Sequence, residues 1–251
     1  MLFRSKIIMK KLFAIALFSL LMIQLKAQNN EKVLNSYDIA LAGGGAGFSP
    51  ALGISKVYGF GRSNQFKIGF GLRYTGFFSG KETFARTAPA KLTSGKNALA
   101  ALFSEDIVSQ IDTFNLQKVQ TNAVNLNIHL GYAITSKLDV GFNIDALGFT
   151  FGGKQTGGFV AKTSDATGLS NNGKNFSATP TAFNLLLISD SDIGSLNSEL
   201  FVRYWVTPKI GIRAGASFQF VEYKSEKKLA FDNDRFRSKQ LLPLLALTVK
   251  L

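Results

Sequence analysis

The sequence predicts an all-β fold, an antiparallel up-and-down transmembrane β-barrel of about eight strands, and three observations carry that prediction. An export-type segment opens the chain, runs of strict apolar/polar alternation recur through the remainder, and short and long connections alternate between those runs.

Residues 1–27 read as a signal peptide. Arg4, Lys6, Lys10 and Lys11 form a basic region, Leu12 to Leu25 an apolar run of 14 residues, and Leu25-Lys26-Ala27 places a small residue before Gln28. Fourteen apolar residues fall short of the roughly 20 that a spanning helix needs. Met9 offers an alternative start, since Met9-Lys10-Lys11 already makes a basic region. Without this segment the formal charge falls from +13 to +8, and residues 28–251 suit one barrel domain. The chain has no Cys, which excludes disulfides, thiolate metal sites, a Cys nucleophile and a lipid-modified N-terminal Cys.

Period-two alternation puts successive side chains on opposite faces of a strand. Two less regular strands are expected at 37–47 and 51–60, around a break at Phe48-Ser49-Pro50. From Phe66 to Phe78 the apolar set Phe66, Ile68, Phe70, Leu72 and Tyr74 faces away from Lys67, Gly69, Gly71 and Arg73. The pattern returns at Val124–Ile134 and, after Thr135-Ser136-Lys137, at Leu138–Ile144. Near Ala146 the phase slips to Leu147, Phe149 and Phe151, which predicts a β-bulge. A second hairpin joins 196–206 to 210–220 through Thr207-Pro208-Lys209, and a last strand runs from Leu241 to Leu251, with Pro243 tolerated near its start.

The connections at 61–65, 135–137 and 207–209 are short, whereas 79–122, 153–194 and 224–240 are long. Outer-membrane barrels pair short periplasmic turns with longer extracellular loops, so eight crossings with periplasmic termini put every long connection outside. The polar face is dominated by Gly, Asn and Ser with few charges, which suits a narrow interior better than a soluble exterior. The apolar face is continuous and aromatic, as a lipid-facing band is, with Tyr37, Tyr58, Tyr74, Tyr132 and Tyr204 placed for interfacial girdles.

These residues resemble small outer-membrane β-barrel proteins of Bacteroidota and, more distantly, OmpW-like barrels. The resemblance rests on Lys26-Ala27-Gln28, on Phe66 through Arg73, on Asn184-Leu185-Leu186-Leu187 followed by Gly194 through Glu199, and on the apolar-ended last strand. It implies a Gram-negative outer-membrane location, with membrane lipid, lipopolysaccharide and the barrel-assembly machinery as partners. Leu251 stands where such barrels commonly end on an aromatic residue.

The interior-facing Lys67, Arg73, His129, Asp139, Asp145, Glu199, Arg203 and Arg213 have near-balanced signs and predict a lumen polar network. An eight-strand barrel is just wide enough for side chains to fill. His129 is the only histidine, so a site of several imidazoles is excluded. Asn127, and Asp139 or Asp145, are placed to orient it. No Gly-x-Ser-x-Gly elbow accompanies it, and no catalytic residue, metal or cofactor is expected. Gly43 to Gly47 lacks the Lys-Ser/Thr of a phosphate loop, and Asp232-Asn233-Asp234 lacks the Gly and distant Glu of a calcium loop. Scattered Lys and Arg without a stacking motif argue against nucleic acid.

The long connections are where recognition can live. Residues 97–112 show roughly helical apolar spacing, 164–177 reads as a mobile tip, and Phe183, Leu185, Leu186 and Leu187 are candidate hydrophobic loop contacts. Two functions follow from different classes: a structural or surface-interaction barrel that engages an extracellular partner through its loops, or a small channel or transporter for hydrophobic molecules.

Overall fold

The structure, a computed structural model, describes residues 31–97 and 99–251; the expected signal segment 1–27 lies outside them. Its strands are β1 (Val33–Gly44), β2 (Gly47–Phe60), β3 (Phe66–Ser79), β4 (Thr83–Thr87), β5 (Thr113–Leu116), β6 (Gln120–Ala133) and β7 (Leu138–Phe151). They continue as β8 (Gln155–Val160), β9 (Asn175–Pro180), β10 (Phe183–Leu185), β11 (Asn197–Trp205), β12 (Ile210–Ser225) and β13 (Arg235–Lys250). Three short helices, α1 (Ala90–Thr93), α2 (Leu99–Leu102) and α3 (Ala166–Asn171), lie in the connections.

Pairing runs β1–β2–β3–β6–β7–β11–β12–β13 and returns to β1, every pair antiparallel, so the long strands close a ring. At the seam Ser36 stands opposite Lys250 and Ala42 opposite Leu244. The expectation of about eight strands is corrected to thirteen in one sheet. The extra five arise because the connections 79–122 and 153–194 fold into strands of only three to six residues, too short to show a period. Four of them build a second closed circuit, β12–β9–β8–β5–β4–β13, on the ends of β12 and β13 opposite the short turns, termed the outer ends.

Other boundaries shift for identifiable reasons. No break occurs at 48–50: β2 begins at Gly47, and the hairpin turns on Gly45-Ala46, with Gly44 paired to Gly47. Gly47 has φ +149°, and a Cβ there would collide with the Phe78 carbonyl of β3, so the tight turn depends on glycine. The last strand starts at Arg235 and passes through Pro243. Proline is tolerated there because β1 stops pairing at Leu244, leaving that side of the ladder open. The stretch 164–177, expected as a loop tip, instead forms α3, whose amide at Gly168 is capped by the Asp165 carboxylate at 3.0 Å, and the start of β9. Ala146 is the unpaired residue of a bulge, since Leu126 faces Leu147 while Asn127 faces Asp145.

The outward face of the ring is apolar. Ile39, Leu52, Phe70, Leu126, Leu200 and Leu245 are each at least half exposed. From Ile210 to Phe220 this face runs about 34 Å along β12, which at the usual tilt of about 45° spans roughly 24 Å, the height of a lipid-facing band. Tyr37, Tyr58, Tyr132 and Tyr204 gather at the end that carries the short turns, while Tyr74 stands toward the other end. The hydrophobic core lies elsewhere, inside the second circuit. Phe114, Phe159 and Phe236 pack there with Leu116 and Leu229, and the same cluster descends into the ring through Phe77, Ala42, Leu242 and Leu244. Phe236 stacks on Phe114 at 5.0 Å and meets Phe159 edge-on at 6.0 Å.

Candidate functional site

Three polar regions sit on this scaffold: the middle of the lumen, a vestibule at the short-turn end, and a clamp on the outer ends of β12 and β13.

In the lumen, alternation on β3, β7, β11 and β12 converges the charges. The Arg73 guanidinium donates to Asp145 from Nε at 3.1 Å and Nη2 at 2.5 Å, and its Nη1 lies 2.9 Å from Glu199. Glu199 in turn pairs with Arg213 at 3.4 Å, and Arg213 stands 3.6 Å from Asp38. Arg73, Asp145, Glu199 and Arg213 are all buried. Such a network is tolerable in an interior only because each charge meets an opposite one and further hydrogen bonds. Asp145 also accepts from Asn125 at 2.8 Å and from the Asn197 amide at 3.0 Å. The spaces left around these groups measure about 10 Å³ and 20 Å³, room for one water at most.

The structure pairs His129 with Asn127 at 3.0 Å; neither Asp139 nor Asp145 orients it, because Arg203 and Arg73 engage those carboxylates. Arg203 and Asp139 form a separate pair at 3.0 Å, joined by the Trp205 indole N–H at 3.0 Å. Lys67 makes no ion pair among the described residues, but it borders the lumen space of about 20 Å³ together with His129, Asp139, Arg203 and Arg213. It lines the vestibule, a cavity of about 440 Å³ shared with Glu31, Lys137, Trp205 and Lys250. No cluster of His, Asp or Glu able to hold a metal ion occurs among the described residues.

The outer clamp was not legible as a site. Glu222 continues the outward phase of Phe218 and Phe220, yet it is fully buried. Arg235 grips it in bidentate fashion at 2.8 and 2.9 Å, and Arg237 donates at 2.6 Å. Both guanidiniums also reach the Asp192 carbonyl, and Gly194 donates to Glu222 at 3.3 Å. The clamp thus fastens residues 190–194 against the barrel. Burial pushes the nearby Asp192 carboxyl up from its ordinary value, against the Leu187 amide that donates to it at 2.7 Å.

The candidate apolar contacts Phe183 and Leu185 lie in β10, paired to Phe149 and Leu147 of β7, and the Leu186 amide donates to Ala146 at 2.8 Å. Phe183 and Leu187 remain exposed. Between them, buried Asn184 points inward, donating to Asn125 at 2.7 Å and accepting from Thr150 at 2.9 Å. Sequence reasoning missed Asp38, Asn125, Asn184, Trp205, Glu222, Arg235 and Arg237. Asp38 had a signal, since Ile39 and Leu41 set the outward phase of β1.

No family model matches the chain, and no curated protein matches its sequence. Solved structures found to be similar include Neisserial surface protein A, 14% identical over 87% of this chain and 96% of that one, with a TM-score of 0.35. A major outer membrane protein from Thermus thermophilus is 11% identical over 88% of this chain and 100% of that one, at 0.38. The Yersinia pestis outer membrane protein Ail, solved in a phospholipid bilayer nanodisc, is 11% identical over 87% of this chain and 99% of that one, at 0.34. Likeness of this degree carries no argument about what the chain does; its barrel architecture rests on its own strand pairings.

Proposed function

We propose that the chain is an integral outer-membrane protein that crosses the bilayer with its eight long strands, conducts nothing through its lumen, and presents the second circuit at the cell surface as an interaction platform. The single observation that carries this reading is the continuous outward apolar face around a filled ring. A soluble protein would leave that face as a large aggregation-prone patch. Above the paired charges the lumen is occupied by Phe77, Leu242, Leu244 and alanines together with buried Ser49 and Gln219, which are bonded to each other, so side chains fill the path an ion would take. Passage of a hydrophobic molecule sideways past Phe183 and Leu185 would require an opening in the wall, and there β10 is paired to β7.

Contact with lipopolysaccharide phosphates falls to exposed Lys81 and Lys118 at the outer end, which have no ion partner among the described residues. Surface engagement falls to exposed Leu99, Phe103 and Val108 around α2 and to Leu169 on α3.

Because the chain has no native Cys, a single Leu169→Cys variant tests the orientation. A membrane-impermeant maleimide is expected to label it on intact cells, while a Ser136→Cys variant stays unlabelled until the envelope is opened. The reverse pattern sinks the proposal. Liposomes carrying the protein are expected to show no flux of ions or of hydrophobic probes above empty liposomes.

A further inference from the structure

The short-turn end of the barrel carries a charge imbalance that the lumen network does not absorb. Six cations, Lys32, Arg62, Lys67, Lys137, Lys209 and Lys250, surround it against two carboxylates, Glu31 and Asp139, the second already engaged by Arg203. Two of its turns share a construction: the Thr135 hydroxyl oxygen accepts from the amides of Lys137 and Leu138, and the Thr207 oxygen accepts from those of Lys209 and Ile210. Each turn therefore holds a lysine at a fixed place on the rim.

Inside this rim lies the vestibule of about 440 Å³, within the size range of small-molecule sites. Its floor is Trp205, with the Arg203 guanidinium 4.6 Å and the Lys250 ammonium 4.2 Å from the ring centre. Asp139, the one carboxylate at the base, is neutralised by Arg203 and accepts from the indole N–H. Lys250 is answered by Glu31 at 3.0 Å, but half-buried Lys67 and rim Lys137 have no ion partner among the described residues. In the outer groove beside the clamp three of the four lining cations, Arg86, Arg237 and Lys239, are paired, with Asp106, Glu222 and Asp190, and only Lys81 has no ion partner among the described residues.

We propose that the vestibule is a binding site for an oxyanion, a phosphate or carboxylate group of a small soluble solute, held by Lys67 at its base and Lys137 at its rim, with Trp205 beneath. Ammonium groups bind oxyanions as point charges. A headgroup of the surrounding lipid leaflet sits outside the wall, so the solute reaches the site through the open end. That this end faces the periplasm rests on the orientation proposed above; the binding itself does not.

Trp205 is the chain's one tryptophan, so its emission reports on the vestibule directly. Protein in detergent is titrated with pyrophosphate and with citrate, against sodium chloride at matched ionic strength. A saturable change in emission is expected with the oxyanions and none with chloride. Lys67→Gln is expected to weaken the response about tenfold or more, as the loss of a charged hydrogen bond does, whereas Lys67→Arg retains it. Lys239→Gln, in the groove beside the clamp, titrates as the parent. Unchanged heat-dependent gel migration of each variant shows that its barrel is intact. A response to chloride equal to that to pyrophosphate, or equal titrations of the parent and an intact Lys67→Gln variant, overturns the site. In nanodiscs, the same response in phosphatidylcholine and phosphatidylglycerol supports a soluble ligand. An emission change produced by phosphatidylglycerol alone assigns the occupant to a lipid headgroup and overturns the soluble assignment.

Discussion

Replacing Arg73 by Met removes the one side chain that contacts both Asp145 and Glu199. At distances of 2.5 and 2.9 Å each contact supplies roughly 6 kcal/mol of direct attraction at an effective dielectric constant of about 20. The desolvation of three buried charges offsets most of that in the parent. The variant sheds the cost of the guanidinium but keeps that of the two carboxylates and loses their compensation. Glu199 retains Arg213, and Asp145 retains Asn125 and the Asn197 amide, so the loss is expected to be about 3–5 kcal/mol, the range for breaking one side of a buried pair. Urea unfolding in detergent, followed by Trp205 emission and by heat-dependent gel migration, measures it. The double variant Arg73→Met/Asp145→Leu is expected to recover at least half of the loss, because it no longer leaves that carboxylate uncompensated. A loss of less than about 1 kcal/mol for Arg73→Met, well below the buried-pair range, or a double variant weaker than the single one, would refute the reasoning.

Phe236→Ala removes a ring packed on both Phe114 and Phe159 and is expected to cost about 3–5 kcal/mol; limited proteolysis should then cut within 79–122 and 153–194 while the long-strand ring still migrates as folded. Gly141→Ala places a methyl against the Phe201 ring, which lies over that glycine, so the ring must move away from the Arg213 guanidinium 4.5 Å from it. A drop in stability of about 1–3 kcal/mol is expected from such overpacking, read from the urea midpoint. Glu222→Gln leaves Arg235 and Arg237 without their carboxylate and should release residues 190–194 to faster amide hydrogen exchange, leaving exchange in β1 to β3 unchanged.

Much of the ring was legible because its information is local. Phe66 to Tyr74 and Val124 to Tyr132 each declare their faces within a single strand, and the phase slip at Ala146 marks the bulge without any partner in view. The second circuit was not legible, for the opposite reason. Its strands offer two or three inward residues each, and Phe114, Phe159 and Phe236 acquire meaning only when segments more than forty residues apart meet. Within the lumen, Arg73, Asp145, Glu199 and Arg213 could be gathered by parity alone, whereas their assignment into pairs depends on the stagger between strands. Arg73 reaches across the interior to Asp145 on β7, which is not its neighbour in the ring. Glu222 escaped notice because the alternation it continues loses its apolar half after Phe220, at the level where the wall leaves the lipid band.

The sharing of β12 and β13 by both circuits ties the completion of one to the completion of the other. The ring closes only when β13 reaches β1, a contact between residues more than 200 positions apart such as Ser36 and Lys250, and closures of that span are late events in folding. The outer circuit needs the same hairpin, through Tyr223 opposite Pro180 and Phe236 opposite Thr87. Until this last hairpin is in place, the aromatic centre around Phe114 and Phe159 has no lid and stays open to proteases. An intact second circuit therefore reports that the hairpin on which ring closure also depends is in place, and if that circuit is the surface platform proposed above, its display marks this stage of insertion.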